Sequence, residues 1–487
     1  MDDYSLLAVG IAVVVLLGLL LMGVSVALSL ATSGIIGLLM LVGADVTSAT
    51  IAGTSYSAVG KGSLIVVPMF VLMGMLTLYS GIAEQLFAIA AKALKKIPGS
   101  LGMATVFASA GFGAISGSSL ATVATLGRTV ITEMMRHGYL RSFASATVAV
   151  AGTLAVLIPP SIILVIYGAT TGESIGSLLL AGVIPGILSA VVLTASIGLR
   201  AWLSPSLVNQ DNRENLKVAL SDVPTRATAV QSPELAAATT AVKSTKRAAA
   251  RDTSVGVESS GVKLTFGSVT RAVVGVAVLF TIVIGGIYSG LFTPSESAAV
   301  GAFAAFLLIC AQYATRPKEL RFNIATALKE TASLNSMIFL ILVGAGLFSF
   351  FLVSAGVPAA LSAFVVGLDV PPTLIVILLL VVLIPGGMFL DSISLLVITV
   401  PLVYQPITDL GFDGIWLGIL VVKLIELGMI TPPVGMNAFV TAGTIKGLEV
   451  EEVFKGIAPF YIAELGIIVA IFAFPALSTW LPSLAGG

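Results

Sequence analysis

The sequence has few residues that support thiol, histidine or metal chemistry. It contains one cysteine, Cys310, and one histidine, His137. A single cysteine excludes an intramolecular disulfide and a four-thiolate metal site, so Cys310 is interpreted as a small apolar packing residue. His137 lies in a basic loop, where we expect a solvated side chain. This composition does not predict an enzyme, and no organic cofactor is expected.

Charge is also scarce. Charged residues make up only 10% of the 487 residues, against roughly 25% in an ordinary soluble domain, and 57% of the residues are apolar. With a mean hydropathy of +1.10, the chain is predicted to be an all-α polytopic membrane protein. Asp2 and Asp3 precede the first apolar run, 5–22, which lacks a small-residue cleavage site. We therefore expect a retained helix rather than a signal peptide.

Ten apolar runs have the length of a membrane-spanning helix, which is about 20 residues. They lie near 4–22, 24–42, 63–82, 142–170, 177–199, 272–289, 298–314, 333–353, 415–441 and 457–478. Two further runs, near 101–127 and 373–400, have different charged flanks. Those flanks determine how the two runs are interpreted.

Basic residues flank the run at 101–127 on both sides, and acidic residues flank the run at 373–400. Positive charge collects on the cytoplasmic side of a membrane, so both ends of the first run are expected in the cytoplasm and both ends of the second outside. Each run is therefore predicted to be a re-entrant helical hairpin. The flanking residues are Lys92, Lys95, Lys96, Arg128, Arg136 and Arg141 for the first run, and Asp369, Asp409 and Asp413 for the second.

With both termini periplasmic, this threading places all but two of the 24 lysines and arginines in the cytoplasm. The exceptions are Lys61, in an outer loop, and Lys423, within a span. If each hairpin were instead a full crossing, the arginines after Gly127 would lie outside. That threading is rejected.

The two halves of the chain resemble each other. Residues 63–74 align with 333–344 at an offset of 270 residues, and Pro160 aligns with Pro433. The two aligned spans run in opposite directions, which predicts an inverted-topology repeat of residues 1–204 and 266–487. The polar segment 205–265 between them is expected to be a disordered cytoplasmic linker near anionic lipid. It lacks the features of a nucleic-acid-binding module.

Each half also carries a Pro-Pro pair inside an apolar run, at Pro159-Pro160 and Pro432-Pro433. Proline removes backbone donors, so several carbonyls are left free where the helix unwinds. Free carbonyls at membrane depth suit Na⁺, although neighbouring hydroxyls can also repair a plain proline kink. Matched breaks in two halves indicate a binding site between repeats, as in secondary transporters.

The hairpin tips are the second candidate feature. Glycines and serines at 111–122 allow a tight reversal, and the returning helix points its positive end at the membrane centre, where it attracts an anion. The other interpretation is close helix packing through small residues. Asp391, at the second tip, is a candidate sodium ligand, proton carrier or helix cap.

Lys423 and Glu426 lie three residues apart and share a helix face. A lone buried lysine costs about 2.5–3.5 kcal/mol on membrane insertion scales. We therefore expect Lys423 and Glu426 to form a structural ion pair. Glu464, in the last span, is expected to face the interface or a partner.

Several stretches resemble the large membrane (M) subunit of TRAP transporters, the tripartite ATP-independent periplasmic family. They are Ser116-Gly117-Ser118-Ser119, Ile158-Pro159-Pro160-Ser161, the stretch from Gly290 to Ala299, and Thr431-Pro432-Pro433-Val434-Gly435. The resemblance covers both halves. It implies an elevator-type carrier in the bacterial inner membrane that takes up an organic anion, such as a C4-dicarboxylate, a keto acid or a sugar acid, together with Na⁺. It also implies a small four-helix membrane subunit (Q) and a periplasmic solute-binding protein (P) as partners.

The same resemblance implies two sodium sites, each between a hairpin tip and the break that faces it. The implied ligands are Ser118, Ser119, Ala155, Ile158 and Pro160 for one site, and Gly387, Asp391, Thr431 and Gly435 for the other. Position 155 is alanine where the family has glycine. The candidate substrate contacts are Ser116, Ser118, Ser119, Ser161, Ser392 and Asn437.

Three other functions compete with this interpretation. An autonomous or proton-coupled organic anion carrier with a similar fold is the nearest alternative. An intramembrane hydrolase using Ser116 or Ser118 lacks a base, because His137 lies outside the span. A passive channel or an assembly scaffold is the third.

Overall fold

The computed structural model describes residues 3–95, 97–208, 274–367 and 369–485. Within these ranges the regular structure is helical, with no strand. The helices of the first half, α1 to α11, are Asp3–Leu21, Val26–Val59, Val66–Tyr79, Ile82–Ala93, Ser100–Ser116, Ser119–Arg136, Arg141–Gly152, Leu154–Leu157, Ile162–Thr171, Ile175–Ala181 and Val183–Leu203. Those of the second half, α12 to α23, are Val274–Tyr288, Pro294–Gln312, Pro317–Ser354, Val357–Val366, Pro372–Val381, Leu383–Phe389, Ser392–Asp409, Gly414–Met429, Met436–Thr444, Val450–Ile457, Phe460–Ala473 and Ala476–Ala485.

Most of the apolar runs form long helices, as expected for a polytopic membrane protein, whereas those at 142–170 and 415–441 are broken at their Pro-Pro pairs. Eight helical segments of the described chain are long and apolar enough to cross a bilayer, or up to ten if each of two bent pairs is one span. Two helices are longer than their runs predicted. Helix α2 continues past residue 42 to Val59 across a kink at Gly43, and α14 begins at Pro317, well before residue 333.

The two halves are joined by a close contact between α2 and α14. A Cβ at Gly34 of α2 would lie 2.8 Å from the backbone nitrogen of Phe348, and a Cβ at Gly344 of α14 would lie even closer to the backbone of Ala27. The two helices therefore pack backbone to backbone, which small residues permit in a membrane. Helix α1 packs on α2, and α3 packs on both α13 and α14.

Helices α5 and α6 form the first hairpin. The chain reverses at Gly117, whose φ is +62°, and the Ser118 side chain caps α6 by accepting from the Ala121 nitrogen at 3.4 Å. At the far end, the Leu101 nitrogen donates to the Tyr139 hydroxyl at 3.1 Å. The chain therefore returns to the end of the hairpin at which α5 begins. The hairpin extends to Arg136, beyond the predicted end at residue 127.

The second hairpin consists of α16 and α17, followed by α18. Its turn lies at Leu390 and Asp391, and α18 packs back against both α16 and α17. The limbs, Pro372–Phe389 and Ser392–Asp409, each have the length and composition of a membrane span. The observed hairpin extends nine residues beyond the predicted end at residue 400.

Both Pro-Pro pairs break a helix. The first break, residues 158–161, separates α8 from α9, and the helices on either side of it are bent by 43°. The second break, residues 430–435, separates α19 from α20. The Pro159–Pro160 and Pro432–Pro433 bonds are cis.

The predicted linker 205–265 lies outside the described residues except at its start. There Pro205–Leu207 forms a short 3₁₀ turn, and the Leu207 carbonyl accepts a hydrogen bond of 2.8 Å from the Leu140 nitrogen. Residues 205–208 thus pack against the first half. One bend was not predicted: α21 and α22 meet at 54°, and Pro459 lies between them.

Candidate functional site

The first hairpin tip lies directly against the first break. A Cβ at Gly117 would lie 2.8 Å from the Pro160 carbonyl oxygen. Below the tip, Gly113 contacts the backbone of Ala155. The alanine at position 155 is thus accommodated because the hairpin supplies the glycine at this contact.

The second hairpin tip lies against the second break in the same manner. The Gly435 nitrogen donates to the Met388 carbonyl at 3.1 Å. A Cβ at Gly387 would lie 2.8 Å from the Ile425 carbonyl oxygen and 3.0 Å from the Gly428 Cα. Both tips are therefore held against unwound chain, and the breaks and tips that were singled out separately in the sequence come together in pairs.

Asp391 caps a helix and keeps one oxygen free. Its Oδ2 accepts from the backbone nitrogens of Ile393 and Ser394 at 3.1 and 3.2 Å. The capping role among its three candidate roles is therefore confirmed. Its Oδ1 is buried without a hydrogen-bond partner among the described residues, which leaves a carboxylate oxygen available to a ligand.

Several candidate hydroxyls are also fixed by local bonds. Thr431 Oγ1 donates to the Leu427 carbonyl at 2.6 Å, Ser116 Oγ lies 3.2 Å from Thr122 Oγ1, and Ser161 Oγ accepts from the Leu164 nitrogen at 3.3 Å. A hydroxyl that donates its only proton keeps its lone pairs for another partner. Thr431 is thus suited to present oxygen lone pairs to a cation.

Asn437, the second residue of α20, is completely buried. Neither its Oδ1 nor its Nδ2 has a hydrogen-bond partner among the described residues. Buried polar groups are nearly always hydrogen-bonded, because an unmade bond costs about 1–3 kcal/mol. An amide in this state, next to the second break, is a strong candidate for ligand contact.

The predicted pair of Lys423 and Glu426 is wrong. Lys423 Nζ lies 2.5 Å from Glu464 Oε2, and both side chains are buried. Glu464 was expected to face the interface or a partner, and this prediction is also wrong. The reason is tertiary, because α22 packs against α19 and brings an acid to the lysine from outside the local sequence.

Glu426 instead connects the two hairpins. Its Oε1 accepts from Ser119 Oγ at 3.2 Å and from Ser392 Oγ at 2.8 Å. Ser119 begins α6 and Ser392 begins α18, so one carboxylate oxygen contacts the returning helix of each hairpin. Sequence spacing carried no signal for this bridge, since the serines are 307 and 34 residues from Glu426.

A large cavity of about 1300 Å³ lies elsewhere, between α2 and α14 on one side and α9 and α18 on the other. None of the candidate substrate contacts lines it. Lys61 does, and its ammonium donates to the Ala169 carbonyl at 2.9 Å, near the end of α9. Lys61 and Lys423, the two exceptions in the charge pattern, thus each have a specific partner.

The chemistry of the site is that of oxygen donors. Within the described ranges, no group of three histidine, cysteine, aspartate or glutamate side chains is placed to hold a transition metal. Backbone carbonyls, hydroxyls and single carboxylate oxygens are ligands for hard cations. No candidate serine has a histidine beside it, because His137 bonds Glu133 on the exposed surface.

The fold is that of a polytopic α-helical membrane protein, and it resembles a solved transporter. The YdaH transporter of Alcanivorax borkumensis superposes with a TM-score of 0.54 over 99% of this chain and 100% of that one, at 14% identity. At this identity the likeness concerns the fold alone.

The chain belongs to the TRAP transporter family, as a large permease subunit: residues 13–477 match the model for "Tripartite ATP-independent periplasmic transporter, DctM component". It is 30% identical to the C4-dicarboxylate TRAP transporter large permease protein DctM of Vibrio cholerae, covering 99% of both chains. It is 27% identical to the isethionate TRAP transporter permease protein DctMQ of Oleidesulfovibrio alaskensis, over 88% of this chain and 59% of that protein. The predicted family is therefore confirmed.

Membership settles the coarse function. Large permeases of this family are multi-pass membrane proteins that take up solutes, and they are transporters rather than enzymes. They work with a small membrane subunit and a periplasmic binding protein.

Proposed function

We propose that this chain couples the uptake of an organic anion to Na⁺. The observation that carries the proposal is the paired contact of each hairpin tip with a helix break, Gly117 with Pro160 and Met388 with Gly435. Each contact gathers backbone carbonyls and hydroxyls in a buried place. Such oxygens satisfy a small hard cation without a dedicated cluster of acids.

Buried charge supports the same proposal. Asp391, Glu426 and Glu464 are buried acids near the second half of the site, and Lys423 is the buried base. Their formal sum is −2, from three negative charges and one positive. Unpaired charge inside a membrane protein is expensive, and two sodium ions would neutralise it.

The two sodium sites are assigned to the two contacts. One takes its ligands from Ser118, Ser119, Ala155, Ile158 and Pro160, and the other from Gly387, Asp391, Thr431 and Gly435. The free Oδ1 of Asp391 fits the second site, because a buried carboxylate oxygen without a donor is the strongest cation ligand there. When bound, Na⁺ would supply positive charge at the tips, where an anionic substrate also meets the positive helix ends.

The substrate is assigned to the carboxylate class. One of the two relatives is named for a C4-dicarboxylate, whereas the other is named for isethionate, which is a sulfonate. In this chain, the unpartnered amide of Asn437 and the helix N-termini at Ser118 and Ser161 are the groups that suit a carboxylate. Ser116 and Ser392 complete the set of contacts.

The movement is proposed to be of the elevator type in the bacterial inner membrane, with both termini periplasmic and residues 205–265 in the cytoplasm. The cavity of about 1300 Å³ supports this, because it lies between the α2–α14 pair on one side and α9 and α18 on the other. Space between these two groups of helices leaves room for one group to move past the other. A small membrane subunit (Q) and a solute-binding protein (P) act as separate partners.

The test is uptake into proteoliposomes that contain this chain with its two partners. Replacing Na⁺ by K⁺ at fixed pH is expected to abolish accumulation of the anion, because the two proposed sodium sites then lack the cation that neutralises them. Uptake that persists without Na⁺ and follows a proton gradient would establish the proton-coupled alternative instead. Flux without accumulation would establish a channel.

A pair of matched variants locates the second sodium site. Asp391→Asn and Asp413→Asn both keep a side chain that caps a helix, since Asp413 caps α19 through the Trp416 nitrogen at 2.8 Å. Only Asp391→Asn removes a carboxylate from the site. We expect it to raise the Na⁺ concentration for half-maximal uptake at least about tenfold, which corresponds to a loss of about 1.4 kcal/mol of binding free energy. Asp413→Asn is expected to leave this concentration nearly unchanged.

A further inference from the structure

One carboxylate oxygen joins the two hairpin tips. Glu426 Oε1 accepts hydrogen bonds from Ser119 at 3.2 Å and from Ser392 at 2.8 Å. The two serines are equivalent, because each is the first residue of a returning helix and directly follows its capping residue, Ser118 or Asp391. The bridge therefore links matching points of the two hairpins.

The surroundings make this bridge strong. Glu426 is 1% exposed, Ser119 3% and Ser392 6%, so water does not compete for these hydrogen bonds. The ammonium of Lys423 pairs with Glu464. The second oxygen of Glu426, Oε2, has no hydrogen-bond partner among the described residues.

The helix that carries Glu426 belongs to the second site. Helix α19 leads into the second break, and Gly428, two residues after Glu426, contacts Gly387 of the second hairpin. Through Ser119 the same helix reaches the first hairpin. A shift of either tip thus moves an atom that the other tip also binds.

We propose that Glu426 is a positioning residue that holds the two hairpin tips in register and makes the two cation sites fill cooperatively. This rests on the proposed sodium coupling. A serine that gives its proton to Glu426 keeps its oxygen lone pairs available to a cation. When a cation fills the first site, it fixes the position of Ser119. Ser119 then fixes Glu426 Oε1, and this oxygen fixes Ser392 at the second tip.

Binding of radioactive ²²Na⁺ to the purified full-length chain tests the cooperativity. Glu426→Ala is expected to weaken Na⁺ binding by about 10–100-fold, the usual effect of removing a group that orients a metal ligand, and to lower the Hill coefficient to one. Glu426→Gln keeps a carbonyl that accepts from both serines, so it is expected to keep a Hill coefficient above one. If Glu426→Gln behaves like Glu426→Ala, charge rather than the bridge is responsible and the inference is wrong.

A distance measurement tests the bridge without Na⁺. Spin labels at Ala121→Cys and Phe389→Cys, in a Cys310→Ala background, report the separation of the two hairpins near their tips. The distance distribution is expected to be narrow with Glu426 or Glu426→Gln and clearly broader with Glu426→Ala. An unchanged distribution in folded Glu426→Ala protein would overturn the inference.

The two readouts separate this inference from the function it rests on. If the chain binds no Na⁺, sodium coupling fails, while the spin-label distances still decide whether Glu426 holds the tips in register. If Na⁺ drives uptake but Glu426→Ala binds Na⁺ with an unchanged Hill coefficient, coupling stands and this inference fails. Glu449→Ala, an exposed acid on the same half of the chain, is the control for the loss of a carboxylate.

Discussion

At the scale of single residues, the buried acids and the buried lysine depart most from what the sequence predicted. The spacing of Lys423 and Glu426 predicted a pair on one helix face, and the spacing itself is correct because both lie on α19. The partner of Lys423 is nevertheless Glu464 of α22, at 2.5 Å. Local spacing identifies neighbours on one helix, but it carries no information about the acid that another helix brings closer.

The ion pair of Lys423 and Glu464 can be tested by removing it in two steps. Lys423→Met leaves Glu464 buried without its partner. We expect this to lower the free energy of unfolding by about 4 kcal/mol, within the range of about 3–5 kcal/mol that is typical of a broken buried ion pair. Lys423→Met with Glu464→Met removes both charges and is expected to restore most of this stability. Thermal unfolding of the purified proteins in detergent measures both changes.

The exposed lysine at position 455 is the control for this pair, since Lys455→Met is expected to leave the unfolding temperature nearly unchanged. A single variant as stable as the double variant would show that Lys423 and Glu464 do not depend on each other.

At the scale of elements, the two hairpins and the two breaks followed from the sequence. Glycine and serine at the tips predicted the reversals, and consecutive prolines predicted the breaks, because these residues act on the backbone directly. The direct contact of each tip with a break was implied only by resemblance. The contact depends on glycines at helix surfaces, such as Gly387 and Gly428, whose facing partner cannot be read locally.

Two neighbouring glycines on α17 test this contact. A Cβ at Gly387 meets the backbone of α19 at 2.8 Å, whereas a Cβ at Gly386 meets only the end of the Leu395 side chain, at 2.6 Å. Gly387→Ala is expected to destabilise the protein by about 1–3 kcal/mol through overpacking and to reduce uptake, since backbone has no room to yield. Gly386→Ala should have little effect, because Leu395 can change its rotamer.

Unfolding in detergent and uptake in proteoliposomes measure the two glycine variants side by side. Equal behaviour of the two would mean that the second hairpin does not pack on α19 as described.

At the scale of the whole molecule, the topology is the feature that the charge pattern predicts and cysteine labelling can decide. Arg128 and Asp409 are both exposed, one on the returning helix of each hairpin. In a Cys310→Ala background, Arg128→Cys is expected to react with a membrane-impermeant maleimide only from the cytoplasm, and Asp409→Cys only from the periplasm. Each cysteine is the control for the other in intact cells and inverted vesicles.

Labelling of position 128 from the periplasm would reverse the first hairpin relative to the proposal, and the inverted repeat would fall with it. The same result would place the basic residues at 128–141 outside, against the charge pattern that favoured this threading.

The sequence by itself determined that the chain is a helical membrane protein, where its helices reverse and break, and which family it resembles. These properties depend on composition, on local backbone chemistry and on short motifs, so they can be read along the chain. Only the tertiary structure decided that Glu464 neutralises Lys423, that Glu426 joins the two hairpins through one oxygen, and that Asp391 and Asn437 keep buried polar atoms free. Those outcomes depend on which helices pack together, and the residues involved lie up to 307 positions apart.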